Sequence, residues 1–93
     1  MKLHFTAKVL TIGGEQTFAN SFRKTPVIVD TGERYNNVFQ IEFHNTVKAT
    51  HVDHIAVGGW YDFECDLKVY EKDGRYYYSF MVWSLRETTE PQR

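Results

Sequence analysis

The chain has 93 residues, 42% of them hydrophobic and 16% aromatic, enough for one small domain with a packed core and too apolar for a disordered tail. Eleven Lys and Arg against twelve Asp and Glu give a net charge of −1, which excludes a protein working through global positive charge but leaves room for a local basic groove. The lone cysteine, Cys65, rules out an internal disulfide and a zinc site built from several cysteines.

Residues 3–12 read as a first strand. Leu3, Phe5, Ala7 and Val9 alternate with His4, Thr6 and Lys8, so one face is apolar. The first residues hold no apolar signal-peptide stretch, and no run approaches the roughly 18 apolar residues of a membrane span. A cytoplasmic protein is therefore expected. The alternation slips at Leu10 and Ile12, and a bulge or bend at Gly13-Gly14 would restore the register that a curled strand needs.

Residues 15–24 form a polar loop with Phe18 and Phe22 beside Arg23 and Lys24. Either both rings tuck under the loop, or Phe22-Arg23-Lys24 is a binding edge, since rings and cations suit base stacking with phosphate contact. Residues 25–31 are a second strand, Val27 and Val29 opposite Ile28 and Asp30, with Pro26 marking its start or an edge. After a turn at 31–37, residues 38–44 make a third strand. Phe39, Ile41 and Phe43 face in there, and Val38, Gln40, Glu42 and His44 face out.

Residues 45–56 change period. Asn45 is suited to cap a short helix, which Thr50, His51 and the valines weaken. Val57-Gly58-Gly59 ends it and leads into the segment around which the chain is organised, a long hairpin over residues 60–85. Its first arm alternates Tyr61, Phe63, Cys65, Leu67 and Val69 with Trp60, Asp62, Glu64, Asp66, Lys68 and Tyr70. Asp73-Gly74 supplies the turn. The second arm is bulky on both faces: Tyr76, Tyr78, Phe80 and Val82 on one, Tyr77, Met81, Trp83 and Leu85 on the other.

Three strands, a connecting helix and a closing hairpin describe an all-β chain with one short helix, the five-stranded OB-fold barrel. The expected domain covers residues 1–86, with a short polar tail at 87–93. The stretches Phe-Gln-Ile-Glu-Phe-His-Asn (39–45), Val-Gly-Gly-Trp-Tyr-Asp-Phe-Glu-Cys-Asp-Leu (57–67) and Asp-Gly-Arg-Tyr (73–76) resemble the core of the single-stranded-DNA-binding proteins, and more narrowly a small bacterial and phage family of that type. The likeness spans about residues 4–85, at the level of pattern that OB-folds share widely. Gly59 stands where an Asp is common, and there is no long Gly- and Gln-rich tail with an acidic tip, through which such proteins recruit partners. The resemblance implies a non-catalytic protein that binds single-stranded DNA with little sequence preference. It would act in replication, recombination or repair, in a bacterial or phage setting, as a homo-oligomer. RNA is the other nucleic acid to weigh. An OB-type protein-interaction or assembly module is the alternative from a different class, favoured by the neutral charge.

Other chemistry finds little support. His51 and His54, three apart, offer two ligands but no third. Asp62, Glu64 and Asp66 read as the wet side of a sheet rather than acid–base catalysts, and would repel phosphates. No phosphate loop, nucleophile elbow or Cys/His pair is present. No enzyme activity, metal, cofactor, small-molecule substrate or membrane is expected. An OB-fold binds along its second and third strands, flanked by the loops joining strands 1–2 and 4–5. That surface would carry Phe22, Arg23 and Lys24 from the first loop, Arg34 and Tyr35 from the next turn, and Gln40 and His44 from the third strand. The closing hairpin would add Tyr70, Lys72, Arg75 and Tyr77. Tyr70 and Tyr77 serve equally well as a cross-strand pair that stiffens the hairpin.

Overall fold

The computed structural model describes residues 1–34, 37–46 and 52–91. Six strands run in the order β1 (Lys2–Ile12), β2 (Gln16–Thr17), β3 (Arg23–Asp30), β4 (Val38–His44), β5 (Trp60–Lys72) and β6 (Arg75–Thr88). Spatially they follow β1-β5-β6-β4-β3-β2, and β1 also pairs with β3, which closes the sheet into a ring. The long β1 makes closure possible: residues 2–8 pair with β5 and residues 8–12 with β3. A single parallel bridge, Glu42 to Met81, joins β4 to β6.

Alternation within the strands fills the barrel. Ala7, Val9, Val27, Val29, Ile41, Phe63, Cys65 and Val82 are wholly buried, and Phe43 and Tyr61 nearly so. Phe63 sits among rings, 5.7 Å from Phe5, 5.9 Å from Tyr61 and 6.5 Å from Phe43. Burying side chains of this size stabilises by about 1.5–3 kcal/mol each. Tyr61 carries its hydroxyl inward as well, where it accepts the Ala56 N–H at 2.9 Å. Gly59 lies against that ring, so a Cβ there would come within 2.8 Å of it.

Two bulges re-aim strands. The register of β1 against β3 shifts between Val9 and Thr11, leaving Leu10 unpaired. The expected bulge thus falls at Leu10, within the slip itself, and returns Ile12 to the face of Val9, opposite Val27. The glycines serve closeness instead: the Gly13 N–H meets the Pro26 carbonyl at 2.8 Å, and a Cβ on Gly13 would lie 2.8 Å from the proline ring. Pro26 sits inside β3 rather than at its start, where β1 gives way to β2 and its missing N–H leaves no ladder bond unmade. The second bulge is at Trp83, unpaired between Val82 (opposite Cys65) and Ser84 (opposite Glu64). It turns Leu85 from the outer face, where simple alternation put it, onto the core.

The expected helix at 45–56 falls partly on residues 47–51, outside the described residues; Val52–His54 forms one 3-10 turn. Asn45, expected as its cap, ties down the first loop. Its Oδ1 accepts the Arg23 N–H at 2.9 Å and its Nδ2 donates to the Ser21 carbonyl at 3.1 Å. β6 runs on through Glu87 and Thr88, opposite Tyr61 and Trp60. Among the described residues no helix is long and apolar enough to cross a membrane.

Candidate nucleic-acid interface

Opposed residues of an antiparallel pair share a face. The outer face of β3 and β4 therefore carries Lys24 beside His44, Pro26 beside Glu42, Ile28 beside Gln40 and Asp30 beside Val38. Ile28 is half-buried and Val38 and Gln40 are exposed, so the middle of this face is a shallow, largely uncharged floor. From Val38 to His44 it is about 20 Å long at ~3.4 Å per residue.

One end is built by the first loop. The Phe18 N–H donates to the Phe22 carbonyl at 2.7 Å, closing a tight loop that brings the two rings to 5.8 Å. Phe22 packs edge-on against the His44 imidazole at 5.0 Å and is half-buried, whereas Phe18 is 46% exposed. Lys24 Nζ lies 5.1 Å from the Phe18 ring centre and 3.0 Å from Glu42 Oε2. His44 Nε2 stands 3.3 Å from Glu42 Oε1. Arg23 reaches only loosely to Glu15, 3.8 Å away, both half exposed. Below lies a small cavity lined by Arg23, Thr25, Phe43, His44 and Asn45 among others.

Glu42 corrects the sequence reading. It points outward as its position requires, yet is only 6% exposed, because Lys24 and His44 cover its carboxylate. Burial alone would push its carboxyl up, but the hydrogen bonds and charges of Lys24 and His44 reverse this and hold it below its ordinary value.

The other end is built by the hairpin. β4 and β6 run parallel at Glu42 and Met81, so Tyr77, four residues before Met81, lies toward the Val38 end of β4. There the hairpin leaves the barrel, β1 pairing with β5 only as far as Asp66. Asp73 (φ 54) and Gly74 (φ 78) make its two-residue turn, the left-handed pair of a type I′ hairpin. Tyr70 and Tyr77 are opposed and stacked, centroids 5.4 Å apart and planes 19° from parallel. They are 59% and 42% exposed. Lys72 and Arg75 are opposed one step beyond on the same face. Lys68, opposite Ser79, shares that face too and was not among the expected site residues. The reverse face of this arm exposes Val69, Tyr76 and Tyr78 with Glu71 and no cation.

The structure thus gathers Phe22, Arg23, Lys24 and His44 at one end of β4, with Gln40 between the ends. Tyr70, Lys72, Arg75 and Tyr77 form a second cluster on the hairpin. Arg34 is exposed on the β3–β4 connection, which Asp30 braces by accepting from the Gly32 N–H at 2.7 Å and from the Asn37 amide. Tyr35 lies outside the described residues. Among those residues no group of three or more His, Cys, Asp or Glu is arranged to hold a metal ion, and His51 is not one of them.

No protein-family model and no curated protein sequence matches the chain. Solved structures do. The mitochondrial single-stranded DNA binding protein Rim1 of S. cerevisiae is similar over 98% of this chain and 98% of its own, at a TM-score of 0.79 and 17% identity. The protein PriB of Ralstonia solanacearum is similar over 94% of this chain and 97% of its own, at a TM-score of 0.62 and 15% identity. With a five-strand ring closed by β1, a sixth two-residue strand and 3-10 turns only among the described residues, the chain has the OB-fold.

Proposed function

We propose that this protein binds single-stranded DNA, without catalysis and with little sequence preference, along the outer face of β3 and β4. The observation that carries the reading is the exposed Tyr70–Tyr77 stack beside Lys72 and Arg75, at one end of that face. Ring faces offered to bases and cations offered to the backbone are what sequence-tolerant strand binding needs. The similarity to Rim1, itself a single-stranded DNA binding protein, supports it. On this reading Phe22, Arg23, Gln40, Arg34, Tyr70, Lys72, Arg75 and Tyr77 line the path, with Lys24 and His44 beside it; Tyr35 belongs to the same expected set and lies outside the described residues. The setting is cytoplasmic DNA replication, recombination or repair, with the protein itself phage-encoded, and the working form is a homo-oligomer.

Titration of fluorescein-labelled oligo-dT across salt concentrations tests the proposal. Affinity that falls with salt, together with quenching of tyrosine or tryptophan emission, supports it. No binding at low salt removes it, and a stronger response to oligo-U moves it to RNA. A second reading, a protein-interaction module, draws on the reverse face of the hairpin, where Val69, Tyr76 and Tyr78 are 51%, 61% and 63% exposed.

A further inference from the structure

We propose that Glu42 sets the strength of strand binding by holding Lys24 and His44 in place and withholding both from the phosphates. The inference rests on the outer face of β3 and β4 being the nucleic-acid surface. On such a surface an outward carboxylate opposes the charge it must attract. Glu42 nevertheless faces outward on β4, one outward position in from His44, opposite Pro26 and bridged to Met81 of β6. Both its oxygens are engaged, Oε2 by Lys24 at 3.0 Å and Oε1 by His44 at 3.3 Å.

The sequence alone puts Lys24 among the phosphate ligands; the geometry argues otherwise. A strand that took Lys24 would leave a carboxylate buried to 6% exposure without its main partner. Stripping one partner from a buried ion pair costs more than a solvent-exposed phosphate contact returns. Lys24 therefore stays on Glu42, where it also lies over the Phe18 ring, and His44 stays edge-on to Phe22. Phosphate neutralisation falls to Arg23 and to the hairpin cations, and the strand is held loosely enough to be released.

The test compares the salt dependence of oligo-dT binding for the full chain, E42Q and K24Q, each checked by thermal melt. With Glu42 neutral, Lys24 is free to turn to a phosphate. E42Q should bind roughly three- to fivefold tighter near physiological salt. Its log–log salt slope should steepen by about 0.7 per cation released to the strand. K24Q should bind more weakly, because Glu42 is uncovered, but with an unchanged slope. E42Q binding no tighter than wild type, or a K24Q slope shallower by about 0.7, overturns the inference. Should E42Q fail to fold, the K24Q slope decides alone. Absence of any strand binding by the wild type and both variants removes the nucleic-acid reading and this inference with it; a wild type that binds, with E42Q no tighter, removes this inference only.

Discussion

Replacing Tyr77 by Ala tests the hairpin end of the surface most directly. Tyr77 stacks on Tyr70 at 5.4 Å and leaves 42% of its surface to solvent, so it has both a structural partner and a free ring face. The structural loss is small: an exposed cross-strand aromatic pair contributes about 0.2–1 kcal/mol. The loss in binding is larger, since a stacking platform is worth about 1–3 kcal/mol per base, or roughly five- to 150-fold in Kd. Anisotropy titration of labelled oligo-dT at fixed salt reads the second quantity, and a thermal melt reads the first. Tyr77→Phe keeps the ring and should stay within about twofold of wild type. Tyr78→Ala, on the reverse face of the same arm, should do the same. A folded Tyr77→Ala protein with wild-type affinity, or a Tyr78→Ala protein as impaired as Tyr77→Ala, would refute the placement of the strand on this face.

Gly74→Ala isolates the hairpin turn. At φ 78, with nothing within 4 Å of a new Cβ, the cost is backbone strain alone, about 1–2 kcal/mol. A thermal melt that does not shift down would contradict the turn geometry. Cys65 is wholly buried, and burial followed by the Asp66 charge pushes its thiol up to about 12. At pH 8 a thiol reagent should therefore modify it only as fast as the domain opens, and prompt labelling of native protein would contradict the packing. Asp62 is held below its ordinary 3.8 by the Thr6 hydroxyl, then by Arg86, and Glu42 is held below its ordinary 4.5. Both folded values lie under the unfolded ones, so their stabilisation is full above the unfolded values and is lost as pH falls through the folded ones. Melting temperatures followed from pH 7 to 3 should drop at the acid end, and less so in Asp62→Asn; an identical acid limb in the variant would contradict the pairing.

Where the order of residues alone decides a strand's face, the sequence is enough. Ile41 and Phe43 on β4, and Tyr61, Phe63 and Cys65 on β5, are inside as their alternation requires. Asp73-Gly74 announces its turn because few dipeptides accept two left-handed residues. The Tyr70–Tyr77 pairing follows from that turn by counting outward. What the sequence hides is what an unpaired residue or a distant partner decides. Leu10 and Trp83 are apolar on either face, so nothing in their identity marks a bulge. The Trp83 bulge nonetheless carries Leu85 from the outer face to the core. Glu42 reads as a wet residue because its cover comes from His44, two positions on, and from Lys24 on a neighbouring strand. Pairing the two strands puts Pro26 opposite Glu42 and Lys24 one outward position further along, a diagonal neighbour within reach of the carboxylate.

A total charge of −1 is compatible with a local basic path because the barrel sorts its charges by side. Asp62, Glu64 and Asp66 of β5 lie between β1 and β6, away from β3 and β4, and each stands opposite a donor or cation across the ladder. Lys2 is opposite Asp66, His4 opposite Glu64 and Thr6 opposite Asp62, whose second oxygen takes Arg86 at 3.1 Å. The Lys24–Glu42 pair is likewise closed on itself. At the two ends of the face this leaves Arg23, only loosely paired, and Lys72 and Arg75 on the hairpin, where Lys68, which was not among the expected contacts, adds a fourth cation. Three to four cations at about 0.7 released counterions each put the log–log salt slope for a single strand near −2 to −3. That is a shallow dependence for a nucleic-acid binder, and it assigns most of the affinity to ring stacking. A slope near zero would mean that no phosphate is neutralised and that the surface has been misread. A slope of about −5 or steeper would demand more cations than this face presents, and with them a binding path that crosses a second copy of the chain.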